Sequence, residues 1–398
     1  MLFRPRVWYN SPYRLLSRTV LGDDTIISVT RSYGMLGVVI GLSVLFQWAS
    51  GGLFLSPMNV TNLVFQGAYL IVLAPAMLMV MVTGRLDLSV GSIAAFASAV
   101  LAVLLLDGNV PVIVAVPGVL LLGAVVGALQ GYLIARLRIP MFITTLSGML
   151  IWRGLTLVIL KGETRAPLAT ALTRITTGFV PAGLALALAT VGVLGLLWRR
   201  PFRTGSRLCR SWWAWSWSKR VGLLTGMVVA SVTTVLLMMH RGVPVVVLIV
   251  AIPAMATAFL LERTVFGRYL YACGAAPKTA RFSGVRNERV LLLVYLNNGL
   301  MAALAGVFVA GRLNAVTPKA GTSFELEAIT ACLIGGASMV GGVGRIGPVL
   351  LGAILIGVLN NGLSLTGIGG ETLIKAGIML VAGYADAMHP KHHGVMTD

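Results

Sequence analysis

Residues 62–106 read NLVFQGAYLIVLAPAMLMVMVTGRLDLSVGSIAAFASAVLAVLLL. Two apolar runs, 62–82 and 88–106, flank a short polar break that carries Arg85 and Asp87. Each run is close to the roughly 20 residues a helix needs to cross the hydrocarbon of a bilayer. Outward from this pair, further apolar runs occupy 34–55, 110–135, 142–160, 180–198, 221–239, 244–261, 290–310, 328–343, 347–365 and 373–388. The runs at 142–160, 328–343 and 373–388 are short or interrupted. The expectation is an all-α integral membrane protein, a polytopic bundle of about 10–12 transmembrane helices with one or two broken or re-entrant elements.

Composition agrees. Of 398 residues 57% are hydrophobic and 11% charged, and a water-facing surface needs about 25–35% charged residues. That excludes an ordinary soluble enzyme and a disordered chain. The 31 Lys and Arg outnumber the 12 Asp and Glu, for a net charge of +19. Basic residues of a membrane protein collect on the cytoplasmic side. With the N-terminus inside, 23 of the 31 fall on inner segments and 6 on outer loops, with Arg153 and Lys375 inside runs. Both termini are therefore expected in the cytoplasm. A basic leader spans 1–33, the transmembrane region 34–388, and a tail 389–398. The histidines of that tail (His389, His392, His393) read as solvated, and Cys209, Cys273 and Cys332 imply neither a disulfide framework nor a metal cluster.

Small residues recur at helical spacing. Gly123, Gly127 and Gly131 share one face, as do Ala302 and Gly306, a pattern that lets helix backbones approach closely in lipid. Two inner loops stand out. Loop 199–220 combines seven basic residues with WWAWSW at 212–217, the signature of a segment at headgroup depth on membrane lipid, and not of a nucleic-acid binder. Loop 262–289 is amphipathic and basic, punctuated by Gly267, Gly274 and Gly284.

Chemistry-bearing patterns are few. The dipeptide GK does not occur, so the chain holds no phosphate loop and any nucleotide must bind another chain. Gly342, Gly344 and Gly347 satisfy GxGxxG, but no strand precedes them; a tight inter-helix turn or a close helix contact is the better reading. No catalytic pairing stands out, and no cofactor or metal is expected on this chain. Among the acidic residues, Asp87 sits between two apolar runs, where a charge must be paired or face water. Arg85 is one possible partner. A charge fixing the break, a place on a substrate path and a proton relay all stay open for it. Glu325 and Glu327 open FELEAITACLIGGASMVGGVG at 324–344, too rich in glycine for a lipid-facing helix. Asn297, Asn298, Asn360 and Asn361 set paired amides in apolar helices. Together with Ser89 these residues form the expected polar path, better suited to a neutral, hydroxyl-rich solute than to an ion.

Several blocks carry a resemblance: LDLSVGS at 86–92, IPMFITTLSGMLIWRG at 139–154, FGRYLYACGAAPKTARFSGV at 266–285, NGLMAALAG at 298–306, ELEAITACLIGGASMVGGVGRI at 325–346 and LNNGLSL at 359–365. In this order they resemble the permease subunits of bacterial ABC importers for monosaccharides. The extra basic loop and hydrophobic segment near 199–239 are similar to the D-xylose branch of that family. Arg85, Arg165, the leader and the WWAWSW run depart from its pattern. The resemblance implies a permease of the bacterial inner membrane that is not itself an enzyme. It implies an ABC ATPase subunit that carries the ATP and magnesium, an extracytoplasmic sugar-binding protein, and a second permease chain, read as a homodimer. It also implies that loop 262–289 is the coupling loop, with Gly267, Arg268, Gly274, Ala275, Ala276, Lys278, Ala280, Arg281 and Gly284 meeting the ATPase. The small residues would permit close approach to a partner groove, and Arg268, Lys278 and Arg281 would pair with its acidic groups. A secondary transporter coupled to protons or another ion, through Asp87 or Glu327, is the main rival.

Overall fold

A computed structural model describes residues 34–181, 232–367 and 370–388. The leader, loop 199–220, the run 180–198 but for its first two residues, most of the run 221–239 and the tail lie outside the described residues. The described elements are α1 (Gly34–Ala49), α2 (Pro57–Val82), α3 (Val90–Leu106), α4 (Val112–Ala135), α5 (Met141–Leu160) and α6 (Thr170–Thr177). After the gap come α7 (232–240), α8 (Val245–Arg263), α9 (Val265–Ala275), α10 (Pro277–Phe282), α11 (Asn287–Leu313), α12 (Phe324–Ile334), α13 (Ile346–Thr366) and α14 (Glu371–Ala387). A two-residue antiparallel pair, β1 (Phe179–Val180) with β2 (Val243–Pro244), closes the approach to α8.

The chain is an all-α polytopic membrane protein. Among the described residues six helices (α2, α4, α5, α8, α11, α13) are long and apolar enough to cross a membrane, and α1 and α3 are shorter apolar helices. Helices satisfy every backbone donor and acceptor within the segment, which a lipid environment demands. Pro75, Pro117 and Pro253 lie inside α2, α4 and α8, a placement membrane helices tolerate when neighbours cover the freed carbonyl. The N-terminus of α2 is capped by Ser56, whose hydroxyl accepts from the Asn59 amide at 3.4 Å, with Pro57 opening the helix.

The hub is α11, which packs along α4, α2 and α3. Its crossing with α4 uses the glycine stripe. A Cβ on Gly123 would strike the Gly299 carbonyl, one on Gly127 the Tyr295 carbonyl, and one on Gly131 the backbone of Leu292. Gly306 lies equally close to Ala94 of α3, with Ala302 buried one turn earlier. These are the close backbone approaches that small residues permit.

Two segments break the helical pattern. Residues 83–89 run without helix between α2 and α3, and residues 335–345 run irregularly between α12 and α13. The expected span 328–343 is therefore corrected: its helix ends at Ile334, and Gly336, Gly341 and Gly342 take positive φ values of 84°, 99° and 72°. Only glycine adopts such backbone without strain. The two breaks lie against each other, Gly341 on Gly84, and the Gly342 amide donates to the Val82 carbonyl at 2.8 Å. The expected run 290–310 is longer at both ends, which carries Arg312 from the expected outer loop into the last turn of α11.

Candidate solute pathway and coupling surface

Asp87 is 1% exposed and is held from its own break and from α11. Its Oδ1 accepts from the Ser89 amide at 2.9 Å and the Ser89 hydroxyl at 2.6 Å, and its Oδ2 accepts from Asn298 Nδ2 at 2.8 Å. Ser89 in turn accepts from Gln130 Nε2 of α4 at 2.9 Å. Tyr295, one turn before Asn298, donates to the Leu86 carbonyl at 3.2 Å. Asn298 stands about 17 Å along α11 from Asn287, at ~1.5 Å per residue, so the break reaches deep into the bundle. A carboxyl buried there is tolerable only because hydrogen bonds replace water. Arg85 is not its partner; Arg85 Nη1 donates to the Thr83 carbonyl at 3.2 Å. The short side chain of Asp87 turns into the bundle, where Ser89 and Asn298 supply donors already desolvated by packing. Asp87, Ser89 and Asn298 thus form an internal network and line neither of two cavities described below.

Glu325 and Glu327 part company. Glu325 leans toward Gly91 at the start of α3. Arg153 of α5 donates to the carbonyls of Pro318 and Ala320 at 3.2 and 2.6 Å, which ties the loop before α12 to the bundle. Glu327 is buried and ion-paired with Lys375 of α14 at 2.7 Å, and it also accepts from Tyr69 and, at 3.3 Å, from Asn360 Nδ2. The Tyr69 ring stacks on Phe324 at 4.0 Å between centroids. The two basic residues inside runs, Arg153 and Lys375, are therefore explained by partners on α12 and the loop before it.

Beside Glu327 opens a cavity of about 260 Å³, lined by Gln66, Gly67, Tyr69, Leu70, Arg312, Gly357, Asn360 and Ser364. Of the sequence-derived path only Asn360 lines it. Asn361 turns the other way: its Nδ2 donates to Asn59 Oδ1 at 3.2 Å and Gln66 Oε1 at 3.1 Å. Asn297 lies half-buried, with its amide 3.5 Å from the Met79 sulfur. Gln66, Tyr69, Arg312 and Ser364 were missed. Their signal was spacing, since Gln66 and Tyr69 (i, i+3) and Asn360 and Ser364 (i, i+4) each share a helix face. Gln130, a lone amide among the glycines of α4, was missed as well.

The loop 262–289 folds as α9 and α10. Thr264 caps α9, accepting from the Gly267 amide at 3.2 Å. Gly267 and Gly274 pack against this chain's own backbone, whereas Gly284 is exposed with nothing within 4 Å of a Cβ. A Cβ on Gly267 would strike the Leu261 carbonyl, and one on Gly274 the Val82 carbonyl and the Gly342 amide. Tyr271 donates to the Gly344 carbonyl at 2.7 Å, and Asn287 Nδ2 to the Pro277 carbonyl at 2.9 Å. Burial pushes the thiol of Cys273 and the phenol of Tyr271 above their ordinary ranges. Ala280 is buried too, whereas Arg268, Ala275, Ala276, Lys278, Arg281 and Gly284 are exposed, and Phe282 is 91% exposed. Next to them a groove of about 560 Å³ runs between Arg85, Arg138, Arg281 and Glu288.

Comparison with known proteins places this geometry. The family described as branched-chain amino acid transport system / permease component matches residues 59–383. The xylose transport system permease protein XylH of Escherichia coli K12 is 34% identical over 358 residues, covering 89% of this chain and 91% of that one. XylH of Haemophilus influenzae is 32% identical over 364 residues, 90% and 96% of the two chains. The ribose import permease protein RbsC of E. coli K12 is 33% identical over 330 residues, 82% and 85%. No solved structure matches the chain.

Proposed function

The chain belongs to the branched-chain amino acid transport system / permease component family, and on that premise we propose that it is the membrane subunit of an ATP-driven monosaccharide importer. The sugar is D-xylose or a similar pentose, since the xylose permeases resemble the chain over nine-tenths of its length. ATP and its magnesium belong to a separate ATPase subunit. An extracytoplasmic binding protein delivers the sugar, and two copies of this chain form the pathway. Both termini and the α9–α10 end of the bundle face the cytoplasm.

The observation that carries this reading is the seating of α9. Its Gly274 lies on the Val82 carbonyl and the Gly342 amide, at the place where the two irregular segments meet. A partner that pushes on Lys278, Arg281 and Phe282 would therefore move α9 against both breaks at once. One of these breaks carries Asp87, and the other leads from α12, which bears Glu327, into α13, which bears Asn360. Packed elements with two discrete arrangements can turn such a push into a change of opening. ATP would drive it by binding the two arrangements with different affinity.

The test is uptake of radiolabelled D-xylose, D-ribose and L-arabinose into proteoliposomes containing this chain with its ATPase subunit and binding protein. ATP-dependent uptake of a pentose supports the reading. Uptake that persists without the ATPase subunit and collapses with the proton gradient would overturn it.

A further inference from the structure

The cavity beside Glu327 holds two unmet hydrogen-bonding needs of opposite sign. Arg312 lines it, half-buried, with no hydrogen bond or ion pair among the described residues. Asn360 Oδ1 is buried and has no donor. The orientation of that amide is fixed, because its Nδ2 faces a carboxylate oxygen of Glu327, which only accepts. The wall therefore offers five guanidinium donors at one point and a bare acceptor at another. Glu327 does not complete Arg312, since its charge is matched by Lys375 at 2.7 Å.

We propose that this cavity is the point where the permease itself recognises its solute, and that it selects polyhydroxylated molecules by pairing Arg312 with Asn360. The proposal rests on the importer reading above and names the residues that act on the solute. A hydroxyl both donates and accepts, so a sugar meets both needs with neighbouring groups. A carboxylate without hydroxyls would satisfy Arg312 but would leave Asn360 Oδ1 facing an acceptor. An ammonium would satisfy Asn360 and face the guanidinium. Each wrong solute leaves a polar group of the wall unpaired, and that is how sites of this kind discriminate. Tyr69 and Gln66, on the same face of α2, extend the polar wall, and Ser364 stands at its exposed edge. The volume of about 260 Å³ sits just below the roughly 300–1,000 Å³ of ordinary small-molecule sites.

The experiment uses the complete complex with Cys209, Cys273 and Cys332 replaced by Ser and a single Ser364→Cys at the exposed edge. Labelling of that cysteine by a water-soluble thiosulfonate is followed with D-xylose or with glutarate, a five-carbon dicarboxylate without hydroxyls, in the medium. D-Xylose is expected to slow labelling several-fold, glutarate is not, and Arg312→Gln is expected to abolish the protection. In parallel, Arg312→Gln is expected to lower pentose uptake about tenfold or more, as expected for loss of a charged hydrogen bond, with Arg312→Lys intermediate. Equal protection by glutarate, or protection that survives Arg312→Gln, overturns the proposal. Pentose uptake without any protection by D-xylose overturns the cavity assignment alone. Absence of uptake for every pentose overturns the importer reading on which it rests.

Discussion

Asn298 Nδ2 donates to Asp87 Oδ2 at 2.8 Å across the interface of α11 with the break before α3, and Asp87 is almost wholly shielded from solvent. One amide thus anchors the mouth of α3 to the hub helix. Replacing Asn298 by Leu leaves a carboxyl oxygen without its donor, at a cost of about 1–3 kcal/mol. In a thermal-shift assay of the purified chain, Asn298→Leu and Asp87→Leu should each lower the melting temperature. The double variant should fall by less than the sum, because the two residues share one interaction.

The Glu327–Lys375 pair ties α12 to α14. Lys375→Ala leaves a buried carboxylate unpaired, and breaking such a pair typically costs about 3–5 kcal/mol. Heat-dependent aggregation of Lys375→Ala should begin at a distinctly lower temperature than for the unaltered chain. The exchange of both charges, Glu327→Lys with Lys375→Glu, should recover part of the difference.

Gly127 meets the Tyr295 carbonyl with no room for a side chain. Gly127→Leu must push α4 off α11, and its penalty should exceed the roughly 1–3 kcal/mol of ordinary overpacking. Membrane yield and monodispersity on size exclusion should both drop. Gly118→Leu on the same helix, where a Cβ meets nothing within 4 Å, should leave both unchanged.

Arg281 and Gly274 separate surface from seat on the α9–α10 unit. Arg281 is exposed, so Arg281→Glu should leave yield and melting unchanged. It should weaken co-purification of the ATPase subunit about tenfold or more if it reverses a paired charge. Gly274→Val collides with Val82 and Gly342 backbone and should lower stability together with association. Titrating immobilised ATPase subunit with each variant checks both outcomes.

Much of this architecture is legible in the residues themselves. Apolar runs near the length of a bilayer identify α2, α4 and α13, because lipid forces helical hydrogen bonding on any chain that crosses it. The stripe of Gly123, Gly127 and Gly131 announces a close helix contact, and α11 supplies it. The glycines from 335 to 344 announce a broken element, and α12 ends at Ile334. Less legible is which polar residues meet. Asn297 and Asn298 look equivalent, yet a rotation of about 100° between neighbours on a helix sends one to Met79 and the other to Asp87. Asn360 and Asn361 divide in the same way between the cavity and Asn59.

The sequence by itself determined that the chain lives in a membrane, where several of its helices run, which faces are small enough to pack closely, and that a basic amphipathic loop interrupts them. Those properties are local, since each is set by hydrophobicity and spacing within a few helical turns. Only the tertiary structure decided that Gly274 faces Val82 and Gly342, that Glu327 is neutralised by Lys375, and that Arg312 and Asn360 open on one cavity. These pairings join residues dozens to hundreds of positions apart, and they depend on helix rotation and depth, which no single segment fixes.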